Sequence, residues 1–178
     1  MGVFRVKVDG LKKLEQLSKK ELIELVKDLS KRWLAHDGIW FQCIEKNYGL
    51  DEAVKIDGES WDRFSKIEAA RIMRFLEITP NSGLPALMKA LELRPYYFLN
   101  KQEIVELSEN KMIFRMNTCR VQSTRRRKGM PEFPCKSVGI LEYSGFAKTI
   151  DSRIKTRCLS CPPDNHPNEY VCMWEFTI

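Results

Sequence analysis

An α+β fold is predicted, with a helical N-terminal part packed on a small antiparallel sheet that carries one helix and a four-cysteine metal site. Three observations predict it. Apolar residues recur at helical spacing from Leu22 to Leu93. From Lys111 onward the pattern changes to strand-like runs with one helix among them. Four cysteines, Cys135, Cys158, Cys161 and Cys172, crowd into the last quarter of the chain. The division is a mainly helical part over residues 1–100 and an α+β metal-binding part over 101–178, the two forming one compact unit.

The elements follow in order. Val3, Phe4, Val6 and Val8 suggest a short initial strand, Val3–Val8. Ser18-Lys-Lys-Glu21 is a capping box, in which each end residue satisfies the other's backbone amide. The helix it opens carries Leu22, Leu25, Val26 and Leu29 and is expected to end near Ala35, because Asp37-Gly38 reads as a break. A second helix, Ile39–Tyr48, stops at Gly49, a residue suited to a left-handed cap. A third stretch, Leu50–Ile56, leads to a longer helix from Trp61 to Phe75 whose apolar stripe is Phe64, Ile67, Ile72 and Phe75. Leu84–Leu93 is the fifth helix, ended before Pro95. Lys111–Thr118 reads as a strand with Arg120–Arg127 as its hairpin partner. Cys135–Thr149 reads as a helix behind Pro134, and Ile154–Cys158 and Tyr170–Thr177 read as two antiparallel strands.

The formal charge is +6 with a pI near 9.0, and 43% of residues are hydrophobic, enough to build a core. No apolar run reaches the roughly 18 residues a membrane helix needs, and the first residues lack the pattern of an export signal. A cytoplasmic protein without a membrane partner is therefore expected. Six cysteines in such a chain are read as thiols or metal ligands rather than disulfides.

Cys135 and Cys158 are separated by 22 residues, and Cys161 and Cys172 by 10. Those intervals let a helix start, a strand end and the neighbouring strand converge on one point, as Zn–S bonds of about 2.3 Å require. Zn2+ is the expected cofactor, with iron or an iron–sulfur cluster as the alternative. Buried thiols packing as small hydrophobes are the plainer reading. Cys119 and His166 are spare candidate ligands, and Cys43 is expected in the core.

Cys135 at a helix start, Gly139 and Gly145-Phe146 within the helix, then Cys158, Cys161, Cys172 and the closing Trp174-Glu175-Phe176 resemble the 4-vinyl reductase-type small-molecule-binding domain. That family includes sensor domains of phenol-responsive bacterial regulators. The resemblance implies that all four cysteines bind zinc, with Cys158 where relatives place a carboxylate. The loop Cys161-Pro-Pro-Asp-Asn-His-Pro-Asn is longer than the family's glycine turn. In the helical part, His36-Asp37-Gly38, Trp40-Phe41, Glu45, Tyr48-Gly49, Ala53, Trp61 and Glu68-Ala69-Ala70-Arg71 resemble an uncharacterised family of cytosolic prokaryotic proteins related to aminothiazoline-carboxylate hydrolases.

The expected function is that of a metal-stabilised small-molecule-binding protein, with a structural zinc and an apolar pocket between the halves for a partly aromatic or carboxylated ligand. The candidate ligand-binding residues are His36 and Trp40 on one helix face, and Glu68 with Arg71 as a carboxylate clamp. One alternative is a hydrolase of a small amide or cyclic C–N substrate, with Cys119 as nucleophile and His166 or His36 as base. Another is a regulator that uses the basic cluster Arg120, Arg125, Arg126, Arg127 and Lys128. Stacking aromatics are missing from that cluster, which disfavours a nucleic-acid partner. A homodimer is left open.

Overall fold

The computed structural model describes residues 9–178, so the strand expected over Val3–Val8 lies outside the described residues. After a short helix α1 (Gly10–Glu15), the capping box forms as predicted. The Ser18 amide donates to Glu21 Oε2 at 2.8 Å, and the Glu21 amide donates to Ser18 Oγ at 3.3 Å. The helix it opens, α2, runs unbroken from Lys19 to Tyr48. The break expected at Asp37-Gly38 does not occur. Glycine inside a helix costs only about 1 kcal/mol, and aromatic packing on both sides exceeds that: Trp33 stacks on Phe64, and Phe41 meets Phe133 edge-on. Gly49, at φ +90°, reverses the chain into α3 (Leu50–Phe75), which merges the two helical stretches predicted there.

The remaining elements are α4 (Gly83–Leu91), a 3-10 turn (Pro95–Phe98), β1 (Lys101–Leu107), β2 (Lys111–Thr118), α5 (Arg120–Arg127), α6 (Lys136–Ile150), β3 (Lys155–Ser160) and β4 (Cys172–Thr177). The four strands form an antiparallel sheet in the order β1-β2-β4-β3. The hairpin partner of β2 is therefore β1, and Arg120–Arg127 is a helix. Its period follows its anchors, because Gln122 and Arg125, three apart, are the residues it buries. Gln122 Nε2 donates to the Phe133 carbonyl at 2.7 Å and its Oε1 accepts the Phe133 amide at 2.9 Å.

The sheet has one buried face. Met112, Phe114 and Met116 of β2 oppose Phe176, Trp174 and Cys172 of β4, and all six are buried. Helix α6 covers that face, with Tyr143 4.7 Å from the Trp174 ring. The approach is close enough that a Cβ on Gly139 would stand 2.7 Å from Trp174 Cζ2. On its other side α6 meets α3, where a Cβ on Gly58 would touch Leu141. This contact decides which stripe of α3 is buried. Trp61, Ser65, Glu68 and Ile72 turn inward, whereas Ile67 and Phe75 of the expected stripe are exposed. Ala69, Leu84 and Leu87 share one apolar cluster with Met112, Phe114 and Trp174, so the helical part and the sheet part have a common core. Along the N-terminal half of α2, Leu22, Ile23, Val26 and Leu29 are exposed.

Candidate functional site

Arg94, from the segment after α4, is 2% exposed. Its Nε donates to Glu68 Oε2 of α3 at 2.9 Å. Its Nη2 lies 2.7 Å from Glu142 Oε1 of α6, but neither of these two atoms completes a well-directed hydrogen bond. The guanidinium sits 4.8 Å from the Phe146 ring centroid and within 5.7 Å of those of Trp61, Tyr96 and Tyr143. Burial opposes its charge, but Glu68 and Glu142 outweigh burial and hold the guanidinium above its ordinary range. Burial pushes the Glu142 carboxyl up despite Arg94.

Beside this group lies a cavity of about 430 Å³ between the helical part and the sheet part. Its walls include Asp37 and Phe41 of α2, Asp57 and Trp61 of α3, and Glu142 and Tyr143 of α6. A smaller cavity of about 280 Å³ between α2 and α3 shares Asp37, Phe41 and Asp57 with it. Desolvation raises both shared carboxyls. For Asp57 the pKa reaches about 7, with Asp37 and Glu142 adding repulsion to burial. At the solvent end the larger cavity is edged by the exposed Lys31, Arg120, Arg127 and Lys128. Arg125 also lines it but is spent internally: two 2.8 Å hydrogen bonds go to the Glu45 carboxylate and one of 2.7 Å to the Pro131 carbonyl.

The cysteines meet this cavity from the sheet side. Cys119, Cys135, Cys161 and Cys172 all line it. Cys135 caps the start of α6, and its sulfur is 3.5 Å from that of Cys161. Cys135 and then Cys172 drive the Cys161 thiol strongly upward, whereas the hydrogen bond with Cys161 lowers Cys135. Two nitrogen donors point at sulfur: Gln122 Nε2 at 3.6 Å from Cys135, and Trp174 Nε1 at 3.4 Å from Cys172. Cys158 pairs with Trp174 across β3 and β4 and so faces the same side of the sheet as Cys172, and burial raises it to about 11. Thiols suit a soft metal in kind. The 3.5 Å separation is near the roughly 3.8 Å edge of a tetrahedron with 2.3 Å bonds. Among the described residues, however, no group of three or more His, Cys, Asp or Glu side chains is placed to hold a metal ion.

The other expected residues are dispersed. His36 and Trp40 line the smaller cavity and are exposed, Trp40 by 62%. Glu68 pairs with Arg94, and Arg71 is exposed on the surface of α3, so the Glu68–Arg71 clamp is not formed. Burial lifts the Cys119 thiol to about 12, which leaves it un-ionised at neutral pH. His166 Nε2 is 3.5 Å from Glu132 and its Nδ1 meets the carbonyls of Pro167 and Tyr170, while His36 belongs to the other cavity. Neither histidine hydrogen-bonds Cys119. Cys43 is exposed rather than in the core.

Sequence reasoning missed Arg94, Asp57, Glu142, Tyr96 and Tyr143. Two of them carry a legible signal. Glu142 lies four residues from both Val138 and Phe146, on the buried stripe of α6, and Asp57 lies four from both Ala53 and Trp61 on α3. A lone carboxylate in such a stripe marks a buried charge with a purpose.

Asp57 makes stability depend on pH. Its folded pKa of about 7 exceeds the ordinary 3.8, so the folded protein binds the proton more tightly. Stability should fall as pH rises across that window, with the full penalty above it. Asp57→Asn is expected to raise the unfolding free energy at about pH 8 by roughly 1–2 kcal/mol and to change it little at about pH 4. Urea unfolding at the two pH values checks this, and an equal change at both would contradict it.

No curated protein and no solved structure matches the chain. Residues 13–178 match the model of a family described as "Family of unknown function (DUF6125)", and the chain belongs to that family.

Proposed function

We propose that this protein binds a small organic molecule in the cavity between its halves, and that a metal held by the cysteines stiffens the sheet side of that cavity. One observation carries the reading: a hollow of about 430 Å³, with Trp61 and Tyr143 among its walls, is shared by α2, α3 and α6 and closed on one side by thiols. That volume and lining are typical of small-molecule sites. The resemblance of Cys135–Phe176 to the 4-vinyl reductase-type domain supports the same assignment. A hydrolase has less support, because no histidine is placed to activate Cys119.

Zinc is the proposed metal, with Cys135, Cys158, Cys161 and Cys172 as its ligands. The amide of Gln122 and the indole of Trp174 would stabilise the sulfur charge, the usual role of groups that hydrogen-bond metal ligands. When bound, four thiolates leave zinc no open position, so its contribution is structural. The residues themselves join the start of α6 to β3 and β4.

Two experiments test the proposal. Protein purified without added metal should contain close to one zinc per chain by elemental analysis, and Cys161→Ser should lose it and melt at least about 5 °C lower. A wild-type protein free of zinc and iron would contradict the metal. For the cavity, Gly38 is the useful position. It lines the hollow, and a Cβ there would meet only Gln42 Nε2, at 4.0 Å. Gly38→Phe should keep or raise thermal stability, because glycine is a poor helix residue, while plugging the cavity. Saturable binding of the neutral dye Nile red to wild type, weakened at least about tenfold in the variant, is expected. Equal binding by both proteins would contradict the assignment.

A further inference from the structure

The helical wall of the larger cavity carries three carboxyls. Asp37, Asp57 and Glu142 come from three different helices and line the same hollow. No lysine or arginine among the described residues forms an ion pair with Asp37 or Asp57, and desolvation is the largest influence on each. Glu142 is 9% exposed and shares a single guanidinium with Glu68, and its Oε1 receives no well-directed hydrogen bond. Two carboxyls thus share one interior arginine, and two more line the cavity without a lysine or arginine partner. Leaving such groups unanswered is costly, and a ligand cation is the group that would answer them.

The aromatic surfaces point the same way. Trp61, Tyr96 and Tyr143 all line the cavity, and the Arg94 guanidinium already lies within 5.7 Å of each ring centroid. These ring faces therefore already attract one cation in this part of the protein. Tyr143 is buried and its ring is fixed by Trp174 and Phe114. An anion has no comparable welcome inside. Arg125 is saturated by Glu45 and Pro131, Arg94 is charge-paired with Glu68 and Glu142 and does not line the cavity, and Lys31, Arg120, Arg127 and Lys128 stand at the solvated edge.

We propose that the ligand is an organic cation, a protonated amine or amidine on an apolar or aromatic body, with its charged end among Asp37, Asp57 and Glu142. This rests on the small-molecule reading of the cavity above and replaces the carboxylated ligand expected from the sequence. The basic edge would favour entry by a molecule whose far end is neutral or anionic, and it disfavours a ligand that is cationic along its whole length.

The test uses three probes of one shape: benzylamine, benzyl alcohol and benzoate, titrated at about pH 8 into full-length protein and followed by calorimetry and by displacement of Nile red. Benzylamine should bind at least about tenfold more tightly than benzyl alcohol, and benzoate more weakly than either. In Asp57→Asn the preference for benzylamine should shrink to within about threefold. Benzyl alcohol binding as tightly as benzylamine overturns the cation and leaves the cavity reading intact. Preference for the amine that persists in Asp57→Asn and in Asp37→Asn also overturns it, since the charge would then be read elsewhere. Failure of Nile red and of all three probes to bind folded wild-type protein overturns both readings.

Discussion

Arg94 joins the two parts of this protein through charge. Its guanidinium takes Glu68 from the long α3 helix on one side and Glu142 from α6 on the other, within reach of four aromatic rings. Because α6 also covers the sheet, the arginine fixes the distance between the helical hairpin and the sheet layer. The cavity is the space left over beside that node, and Glu142 belongs to both. A buried ion group of this kind adds little net stability over apolar packing, but it penalises other arrangements severely. Its value here is positional: it holds α3 and α6 in one register while leaving room between them and α2.

The chemistry of the hollow follows from which residues those elements bring inward. From α2 and α3 come carboxyls and aromatic rings, and from the sheet side come thiols. The thiols occupy the end of the cavity where α5, α6, β3 and β4 converge, and Gln122 and Trp174 direct N–H groups at two of them. The carboxyls come from the helical wall, where desolvation raises Asp37 and Asp57 and repulsion from Asp37 and Glu142 raises Asp57 further. A metal among the thiols and a ligand cation among the carboxyls would each relieve a local excess of electron-rich groups, so the two proposals share one electrostatic logic.

Local signals in the sequence are sound where one short motif decides the outcome. The capping box at Ser18, the turn at Gly49, the strand Lys111–Thr118 and the terminal pair of strands can all be read directly. Local signals fail where a distant partner decides. Gly38 does not break α2, because Trp33 and Phe41 are held by residues of α3 and the segment before α6. Arg120–Arg127 is helical because Gln122 and Arg125 anchor to Phe133 and Glu45, neither of which is a sequence neighbour. The alternation in Lys101–Leu107 is blurred by its charged residues, and this hides the true partner of β2. At the site, cysteine spacing points to Cys135, Cys158, Cys161 and Cys172 together. The structure sets the Cys135 and Cys161 sulfurs 3.5 Å apart and Cys172 in the same cavity lining, whereas Cys158 does not line it. Glu142 and Asp57 are passed over because a charged residue in a helix pattern is normally read as solvent-facing, although their place on the buried stripes of α6 and α3 marks them.

The most direct measurement is a double-mutant cycle across the arginine: Glu68→Gln, Glu142→Gln and the pair, each unfolded in urea. Two carboxylates competing for one guanidinium should make either single change mild, since the other carboxylate keeps the arginine paired. The double change strands a buried charge and should cost at least about 2 kcal/mol more than the sum of the singles. Additivity to within about 0.5 kcal/mol would show that Arg94 does not couple the two helices, and would contradict the account.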